Sequence, residues 1–201
     1  MAELVFFSGT MDSGKSTLAL QLDYSRSARG RRGLLFTRHD RAGESKISSR
    51  LGLEHEAIEV TDKTDILDIF VRENKKNPVN YVICDEAQFY TPAHIEQMAR
   101  IVDLYGVDVY AFGITADFRT KLFEGSARLL ELADRIEPLP VSALCWCGEK
   151  ATHNARTVNG KMTLEGEQVV VGDVDDGSHD EVGYETLCRK HHMQQRTALD
   201  H

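Results

Sequence analysis

The sequence predicts an α/β fold in which a parallel β-sheet carries helices on its faces, followed by a smaller, β-rich domain. Three observations support this prediction. Short apolar runs alternate with segments of helical periodicity before Pro140, which is typical of a parallel sheet. A glycine-rich loop of the phosphate-binding kind joins the first apolar run to the first helical segment. Beyond Pro140, paired cysteines and hairpin-like sequence replace the helical patterns.

The first domain is predicted to alternate strands and helices. Apolar runs predict strands at 4–8, 33–38, 57–60, 79–86 and 107–114. Helical spacing predicts helices from Lys15 to about Arg29 and over 64–74, 92–106 and 122–133, with Thr64 as the N-cap of the second. The polar segment 39–54 is predicted to be a long, mobile loop. We expect ligands at the C-terminal ends of the strands.

A domain boundary is predicted near residue 140. A chain of 201 residues that is 41% hydrophobic can build one sizeable core and a small satellite. We therefore divide it into an α/β domain that contains the glycine-rich loop, residues 1–140, and a smaller domain, residues 141–201. Within the latter, Asn159-Gly160 separates two segments of alternating pattern, which is a strong signal for a hairpin turn.

Composition and charge narrow the function classes. The formal net charge of -8 disfavours bulk binding to nucleic acid, which needs a basic face. No apolar run reaches the roughly 18 residues of a membrane span. The N-terminus "MAELVFF" lacks the basic region of a signal peptide, so we expect a cytoplasmic protein. In a reducing cytoplasm, the four cysteines indicate metal ligands or inert thiols rather than disulfides.

The clearest functional motif is G-x-x-x-x-G-K-[ST] after the first predicted strand. Loop N–H groups and the helix N-terminus can surround phosphates, with Lys15 reaching the β- and γ-phosphates and the Ser16 hydroxyl ligating Mg²⁺. The alternative is a glycine-rich turn with an accidental lysine. The predicted ATP-binding residues are Gly9, Thr10, Met11, Asp12, Ser13, Gly14, Lys15, Ser16 and Thr17.

An acidic pair ends the apolar run "YVICDEAQF". Asp85 suits the Mg²⁺ water shell of a phosphate-loop protein, and Glu86 suits a general base that takes a proton from a substrate hydroxyl. The alternatives are two solvated acids, or a base that orients water in an ATPase. Nearby aromatic side chains could line a dry acceptor pocket, although each could equally be core: Phe89, Tyr90, Phe118 and Phe123.

Two close pairs of metal-ligating residues lie in the smaller domain. Cys145 and Cys147 form a C-x-C pair, and Cys188 with His191 forms C-x-x-H. Three thiolates and one imidazole fit a closed, tetrahedral, structural zinc site, which would stabilise a domain with little core. The alternatives are three free thiols beside a surface histidine, and His192 as the fourth ligand.

Taken together, the motifs resemble one family. "SGTMDSGKST", "VICDEAQF", "DFRTKLF", the C-x-C pair, "GEQVVVG" and "YETLCRKH" occur in this order. The chain is similar to thymidine kinases of the cytosolic, zinc-containing type in their bacterial form, from about residue 3 to residue 192. Many members have C-x-x-C where this chain has C-x-C, and similar bacterial relatives share the shorter spacing.

The resemblance implies a RecA-like phosphate-loop domain with a zinc-ribbon-like domain. It implies an enzyme that transfers the γ-phosphate of ATP to the 5′-hydroxyl of thymidine, with Mg²⁺ as cofactor. Because thymine carries only one methyl group more than uracil, deoxyuridine is the nearest competing substrate, and we expect it to be secondary. It also implies nucleoside salvage for DNA synthesis, a homotetramer and feedback inhibition by thymidine triphosphate. Neither nucleic acid nor a membrane is an expected partner.

The resemblance also assigns roles to individual residues. Glu86 matches the catalytic base and Asp85 the magnesium-associated acid, within an active-site segment that continues through Ala87 and Gln88. The backbone of 168–172, the lasso loop, would hydrogen-bond the thymine edge, which explains why few polar side chains could read the base. The predicted thymidine contacts are Met11, Phe89, Phe118, Phe123, Gln168, Val169, Val170, Val171, Gly172 and Tyr184.

One segment departs from the family pattern. Residues 173–183, "DVDDGSHDEVG", are several residues longer than the usual connection and carry five acids. We interpret them as a solvated loop, with a second metal site as the alternative. Two other function classes remain open for the whole chain. One is a RecA-like ATPase that acts on nucleic acid, and the other is a nucleotide-binding regulator whose zinc module docks a partner.

Overall fold

The computed structural model describes residues 1–38, 46–49, 51–166, 168 and 181–200. Strands and helices alternate through most of this part of the chain. In chain order they are β1 (Leu4–Gly9), α1 (Lys15–Ser27), β2 (Gly33–Thr37), β3 (Lys46–Ser48), β4 (Glu54–Glu56), β5 (Ile58–Glu59), α2 (Ile66–Lys76), β6 (Tyr81–Cys84), α3 (Pro92–Tyr105), β7 (Asp108–Ile114), α4 (Glu124–Leu132), β8 (Arg135–Pro138), β9 (His153–Val158), β10 (Lys161–Thr163), β11 (Val182–Leu187) and α5 (Arg189–Met193). Among the described residues, no helix combines the length and apolarity needed to cross a membrane.

The main sheet is parallel, as predicted. Its strand order is β5-β2-β6-β7-β1-β8, and every neighbouring pair runs parallel. The carboxyl ends of all these strands therefore meet at one edge. The loops that follow β1, β6 and β7 lie side by side there, because these strands are near neighbours in the sheet. This edge carries the candidate site.

Side chains of the sheet alternate between two apolar layers. Along β1, Leu4 and Phe6 belong to the cluster formed with α2, α3 and α4. Val5 faces the opposite layer, where it joins Leu20 of α1 and Ile47 of β3. All five are buried. The sheet is thus covered on both faces, which explains why its strands are nearly continuous apolar runs rather than alternating ones.

The predicted N-cap of α2 is wrong by one residue. The cap is Asp65, whose carboxylate accepts a hydrogen bond from the Asp68 N–H at 2.8 Å. The Thr64 hydroxyl instead accepts from the Thr61 N–H at 2.8 Å and closes the turn before the helix. Both residue types cap helices, so only the path of the preceding turn distinguishes them.

Two local predictions in the first domain need correction. The sequence predicts a loop over 39–54, but the described part of this segment holds β3, and β4 begins at Glu54 to pair with it in an antiparallel hairpin. These strands are three residues long and rich in polar residues, so neither carries a clear period of two. Strand β8 was missed because it is a short edge strand that ends in Pro138. Residues 39–45 and 50 lie outside the described residues.

The last third of the chain contains a second, antiparallel sheet of order β10-β9-β11. The predicted hairpin is confirmed: Asn159 at φ 51° and Gly160 at φ 77° make the two-residue turn between β9 and β10. The apolar cluster of this sheet contains only Cys145, Ala155 and Leu187 as buried members among the described residues. A cluster this small contributes little stability by hydrophobic burial. The division at residue 140 remains a prediction.

Candidate active site

The phosphate-loop motif leads from β1 into α1 through a tight turn. Gly14 precedes the helix at φ 77°, a left-handed conformation that glycine adopts without strain. The Ser13 hydroxyl donates to the Thr10 carbonyl at 2.6 Å, which closes the loop on itself. Within the described chain, no side chain caps the first turn of α1, so its N–H groups keep no side-chain acceptor. Such a helix N-terminus is suited to bind an anion.

The fold brings the acidic pair to this loop. The Ser16 hydroxyl donates to Oδ2 of Asp85 at 2.7 Å, although the two residues are far apart in sequence. Asp85 is buried, and burial, aided by the negative charge of Glu86, raises the pKa of its carboxyl to about 7. Its Oδ1 atom is buried without a hydrogen-bond partner among the described residues. An unpaired buried carboxylate oxygen is costly, so it indicates a missing partner.

The surroundings of Asp85 fit a divalent cation. Its carboxylate and the Ser16 hydroxyl are hard oxygen donors of the kind that Mg²⁺ prefers. Lys15, at the same helix N-terminus, lies close enough to lower the pKa of Asp85 against the effect of burial. Ser16 and Asp85 are therefore the residues that could hold a magnesium ion beside the phosphates of a nucleotide.

Glu86 adopts a left-handed backbone conformation, with φ 50° and ψ 37°. It begins a short 3-10 helix, Ala87–Phe89, and is half-buried. Its carboxylate accepts a hydrogen bond from the side-chain amide of Gln88, whose Oε1 accepts from the Ile114 N–H at 3.2 Å. Gln88 thus connects Glu86 to the end of β7. Sequence reasoning placed Gln88 in the active-site segment but assigned it no role.

The predicted aromatic residues lie around the same edge of the sheet. Phe89 and Phe123 meet edge to face, with ring centroids 5.6 Å apart. Phe118 is buried, and the guanidinium groups of Arg119 and Arg156 lie 5.2 and 5.8 Å from its ring centre. Nothing in the sequence pattern singled out Arg156. It lies on β9, and only the tertiary structure brings it next to the Phe118 ring.

Part of the predicted thymidine site can be located and part cannot. Tyr184 lies on β11 directly opposite Arg156 of β9, and the residue is 40% exposed. That exposure leaves the ring accessible to a ligand. Gln168 is half-buried. The predicted backbone contacts at 169–172, and most of the acidic segment 173–183, lie outside the described residues.

Two polar side chains of the C-terminal part of the chain reach the loops that follow β1 and β7, and sequence reasoning missed both contacts. Asn154 of β9 accepts from the Met11 N–H at 2.8 Å and donates to the Ala116 carbonyl at 2.9 Å. Nε2 of His192 lies 2.9 Å from the Phe118 carbonyl and donates to it. Asn154 and Met11 are 143 residues apart, so no local pattern could have indicated the bond.

The predicted zinc ligands come together in one cluster. One ligand atom from each of Cys145, Cys147, Cys188 and His191 lies within 4.8 Å of all the others. Nδ1 of His191 is 3.4 Å from the sulfur atoms of both Cys145 and Cys188. Tetrahedral zinc bonds of standard length would separate nitrogen and sulfur by about 3.5 Å. The cluster therefore fits zinc, and it uses His191 rather than His192.

Local structure explains how these ligands are presented. The Gly148 N–H donates to the Cys145 carbonyl at 2.8 Å, with Gly148 at φ 86°, so the chain turns tightly around the first pair. Cys188 immediately precedes α5 at the N-cap position, and His191 follows one turn later on the same side of the helix. Burial raises the pKa of the Cys145 thiol, but hydrogen bonds from the backbone N–H groups of Cys147 and Cys188 outweigh it, and the pKa falls to about 7. A thiolate is the form that binds metal.

Comparison with known proteins identifies the family. The family model "Thymidine kinase" matches residues 2–192. A thymidine kinase of Streptomyces coelicolor is 63% identical, over 98% of this chain and 92% of that protein. The thymidine kinases of Cutibacterium acnes and Lactococcus lactis are 58% and 40% identical, over 96% of this chain in each case and over 89% and 98% of their own lengths.

Solved structures resemble the chain more distantly. The Pif1 helicase of Candida albicans matches 69% of this chain and 36% of its own at 14% identity and a TM-score of 0.41, which is too slight to bear on fold or function. The family match covers nearly the whole sequence, including the phosphate loop, the acidic pair and the cysteine–histidine cluster. The chain belongs to the thymidine kinase family.

Proposed function

We propose that the protein transfers the γ-phosphate of ATP to the 5′-hydroxyl of thymidine, with Glu86 as the general base and Mg²⁺ as cofactor. Membership of the thymidine kinase family supports phosphorylation of thymidine. The observation that carries the finer assignment is the hydrogen bond from Ser16 to Asp85 at 2.7 Å. Because it ties the phosphate loop to the acidic pair, Glu86 lies next to the site where the phosphates would bind.

The proposed step is a single displacement at phosphorus. The Glu86 carboxylate accepts the proton of the 5′-hydroxyl, and the hydroxyl oxygen forms a bond to the γ-phosphorus. The bond from that phosphorus to the β,γ-bridging oxygen breaks, and ADP leaves with the bonding electrons. The products are thymidine monophosphate and ADP. Gln88 orients the carboxylate through its side-chain amide, which is itself fixed to β7.

The other residues bind and shield the reactants. Lys15 and the first-turn N–H groups of α1 would hold the phosphate oxygens, and Ser16 and Asp85 would hold a magnesium ion. When bound, that ion neutralises charge on the β- and γ-phosphates. The aromatic rings of Phe89 and Phe123 line the acceptor side and exclude water, which limits wasteful hydrolysis of ATP.

The remaining assignments come from the sequence pattern or from the family resemblance and are proposals as well. They include residues 1–140 and 141–201 as separate domains, Zn²⁺ at the cysteine–histidine cluster, and the lasso loop 168–172 reading thymine. They also include a cytoplasmic homotetramer, feedback inhibition by thymidine triphosphate and a role in nucleoside salvage for DNA synthesis. The fit of the four ligand atoms supports the zinc assignment.

One assay tests the function directly. The purified protein is incubated with γ-labelled ATP, Mg²⁺ and each of several nucleosides, and the labelled products are separated. We expect labelled thymidine monophosphate, with less product from deoxyuridine, because one methyl group in a pocket discriminates by only about 1–3 kcal/mol. Label released as inorganic phosphate only when DNA is added would indicate an ATPase acting on nucleic acid. ATP binding without labelled product from any nucleoside would indicate a regulator.

A further inference from the structure

We propose that Asn154 is a positioning residue that couples thymidine binding to ATP binding, by fixing the phosphate loop to the C-terminal module. Here the C-terminal module means the sheet β9–β11 with α5. The inference rests on the proposed function, since it takes thymidine and ATP as the two ligands. It concerns how the two sites communicate, which the proposed chemistry does not require.

The geometry of Asn154 uses both ends of its carboxamide. Oδ1 accepts from the Met11 N–H at 2.8 Å, and Nδ2 donates to the Ala116 carbonyl at 2.9 Å. The side chain is buried, with only 5% of the residue exposed. An amide can serve a donor and an acceptor at the same time, whereas a carboxylate offers acceptors alone. Asn154 therefore joins three segments: β9, the phosphate loop and the loop that follows β7.

The C-terminal module would move Asn154 as part of a rigid unit. Asn154 pairs with Thr186 of β11, and β9 also pairs with β10 on its other side. Cys188, a member of the cysteine–histidine cluster, directly follows β11. The module also contacts the loop that follows β7 through His192, which donates to the Phe118 carbonyl. Both contacts would form or break together when the module seats on the loop.

The phosphate loop is the segment most affected by this bond. The Met11 N–H donates to Asn154. The C-terminal module, rather than a bound phosphate, therefore sets the direction of this N–H group. The next residue, Asp12, has φ 59°, a left-handed conformation that is uncommon for residues other than glycine. Loss of the Asn154 bond would release the loop from this arrangement. An ATP molecule would then have to order the loop itself.

The coupling follows from these contacts. Thymidine is proposed to bind beside Phe118 and Tyr184, on the surface where the module meets the loop after β7. A ligand that stabilises the contact between the C-terminal module and the loop after β7 also stabilises the ordered phosphate loop, because Asn154 connects the two loops. Thymidine should therefore raise the affinity for ATP, and ATP should raise the affinity for thymidine by the same factor.

The test measures binding rather than turnover. Calorimetry gives the Kd of an ATP analogue with a non-transferable γ-phosphate, with Mg²⁺, in the absence and presence of saturating thymidine. In the natural protein we expect thymidine to lower this Kd by about tenfold, within the usual range for coupled sites. In Asn154→Leu, which removes both hydrogen bonds at similar volume, the factor should fall below about twofold.

Two further variants make the result specific. Asn154→Asp keeps an acceptor for the Met11 N–H but sets a second acceptor against the Ala116 carbonyl, so it too should lose coupling. It decides the question alone if Asn154→Leu does not fold. The matched control is Asn74→Leu. That residue also accepts one backbone N–H at 2.8 Å, from Val79, but lies on α2 away from both proposed sites. The control should keep the tenfold factor.

Several outcomes would overturn the inference. These are a natural protein in which thymidine leaves the Kd of the analogue unchanged, an Asn154→Asp variant with full coupling, or an equal loss in Asn74→Leu. Failure of the proposed function would look different, because the natural protein would then form no thymidine monophosphate in the kinase assay. A protein that forms this product but binds its two ligands independently would contradict the inference alone.

Discussion

The backbone of Glu86 is held at φ 50° and ψ 37°, a conformation that costs a non-glycine residue roughly 1–2 kcal/mol. Strain of this kind persists only where surrounding contacts enforce it, and it is common at active sites. Here the enforcing contacts are the side-chain amide of Gln88 and the 3-10 turn that follows. The strained turn places Glu86 directly after Asp85, just beyond the carboxyl end of β6.

At the residue scale, we predict that Glu86→Gln lowers kcat by roughly 10²–10⁴-fold, the usual contribution of a general base. The amide oxygen of the variant would still accept a hydrogen bond from Gln88, so KM for thymidine and the melting temperature should change little. Steady-state kinetics and thermal unfolding measure both. Glu131→Gln, an exposed residue of α4, is the control and should behave like the natural protein. Glu86→Gln with near-normal kcat would remove Glu86 from the role of base.

Among the elements, α4 supports the active-site segment from behind. Gly125 lies in its first turn, and a Cβ atom there would stand only 2.3 Å from the Ala87 carbonyl and 2.7 Å from that of Tyr90. The helix can approach the segment 86–90 this closely only because the residue has no side chain. Close packing therefore transmits the position of α4 to Glu86.

We predict that Gly125→Ala destabilises the fold by about 1–3 kcal/mol, the usual cost of overpacking, and also lowers kcat. The added methyl group would push the segment 86–90 away from α4 and misplace the base. Urea unfolding gives the stability, and the kinase assay gives kcat. Glu131→Ala, on the solvent side of the same helix, is the control and should change neither by much. Unchanged kcat in a destabilised Gly125→Ala would show that the helix does not position Glu86.

Helix α3 begins with a capping box that includes a histidine. The Thr91 N–H donates to Nδ1 of His94 at 3.2 Å, and Nε2 of His94 lies 3.0 Å from the Thr64 carbonyl. These partners require the neutral ring with its proton on Nε2, since a protonated ring has no acceptor for the Thr91 N–H. His94 is buried, and burial lowers its pKa below the ordinary 6.5.

This cap should make stability depend on pH. Because the folded pKa of His94 is lowered, the unfolded chain takes up the proton first. The contribution of the residue is therefore present above pH 6.5 and is lost as the pH falls through the folded value. The hydrogen bond to the Thr64 carbonyl opposes this lowering of the pKa, as do Asp62 and Asp65, whereas Arg38 adds to it. Urea unfolding at pH 7.5 and 5.5 measures the loss, on the order of 1 kcal/mol for one hydrogen bond. His94→Gln should show a smaller difference between the two pH values, and an equal or larger one would contradict this account.

At the scale of the whole molecule, two sheets with apolar cores of very different size meet at the candidate site. The parallel sheet has apolar layers on both faces, whereas the antiparallel sheet has only a small apolar cluster among the described residues. The cysteine–histidine cluster brings the turn at 145–148 next to α5, and a bound zinc ion would tie the two together. Trp146, the single tryptophan of the chain, stacks on His191 with ring centroids 4.1 Å apart.

We predict that removal of the metal unfolds the antiparallel sheet but leaves the parallel sheet folded. Cys145→Ser should lose the one zinc ion expected per chain, change the fluorescence of Trp146, and lose amide-exchange protection in β9–β11. Protection in β1, β6 and β7 should persist. Cys84→Ala, a buried cysteine outside the cluster, is the control and should keep its zinc. Full zinc content in Cys145→Ser would contradict the ligand assignment.

Periodicity and motif spacing were sufficient for the parallel sheet, its helices, the phosphate loop and the Asn159-Gly160 hairpin. Each of these rests on residues within a few positions of one another, where backbone geometry links sequence to structure directly. The same holds for the C-x-C pair and the C-x-x-H pair of the cysteine–histidine cluster. Predictions were wrong or missing where the local signal is weak: the cap of α2, the hairpin β3–β4 and the edge strand β8.

The contacts that turn these motifs into one site depended on the tertiary structure. Asp85 reaches Ser16 because parallel strands end at a common edge, and Asn154 reaches Met11 because the antiparallel sheet packs there. Gly125 could be read as an ordinary helix residue until the carbonyl groups beside it were known. Local propensities act over a few residues, whereas these contacts are fixed by the packing of distant elements. The sequence therefore indicated which residues carry the chemistry, and the tertiary structure decided how these residues are arranged.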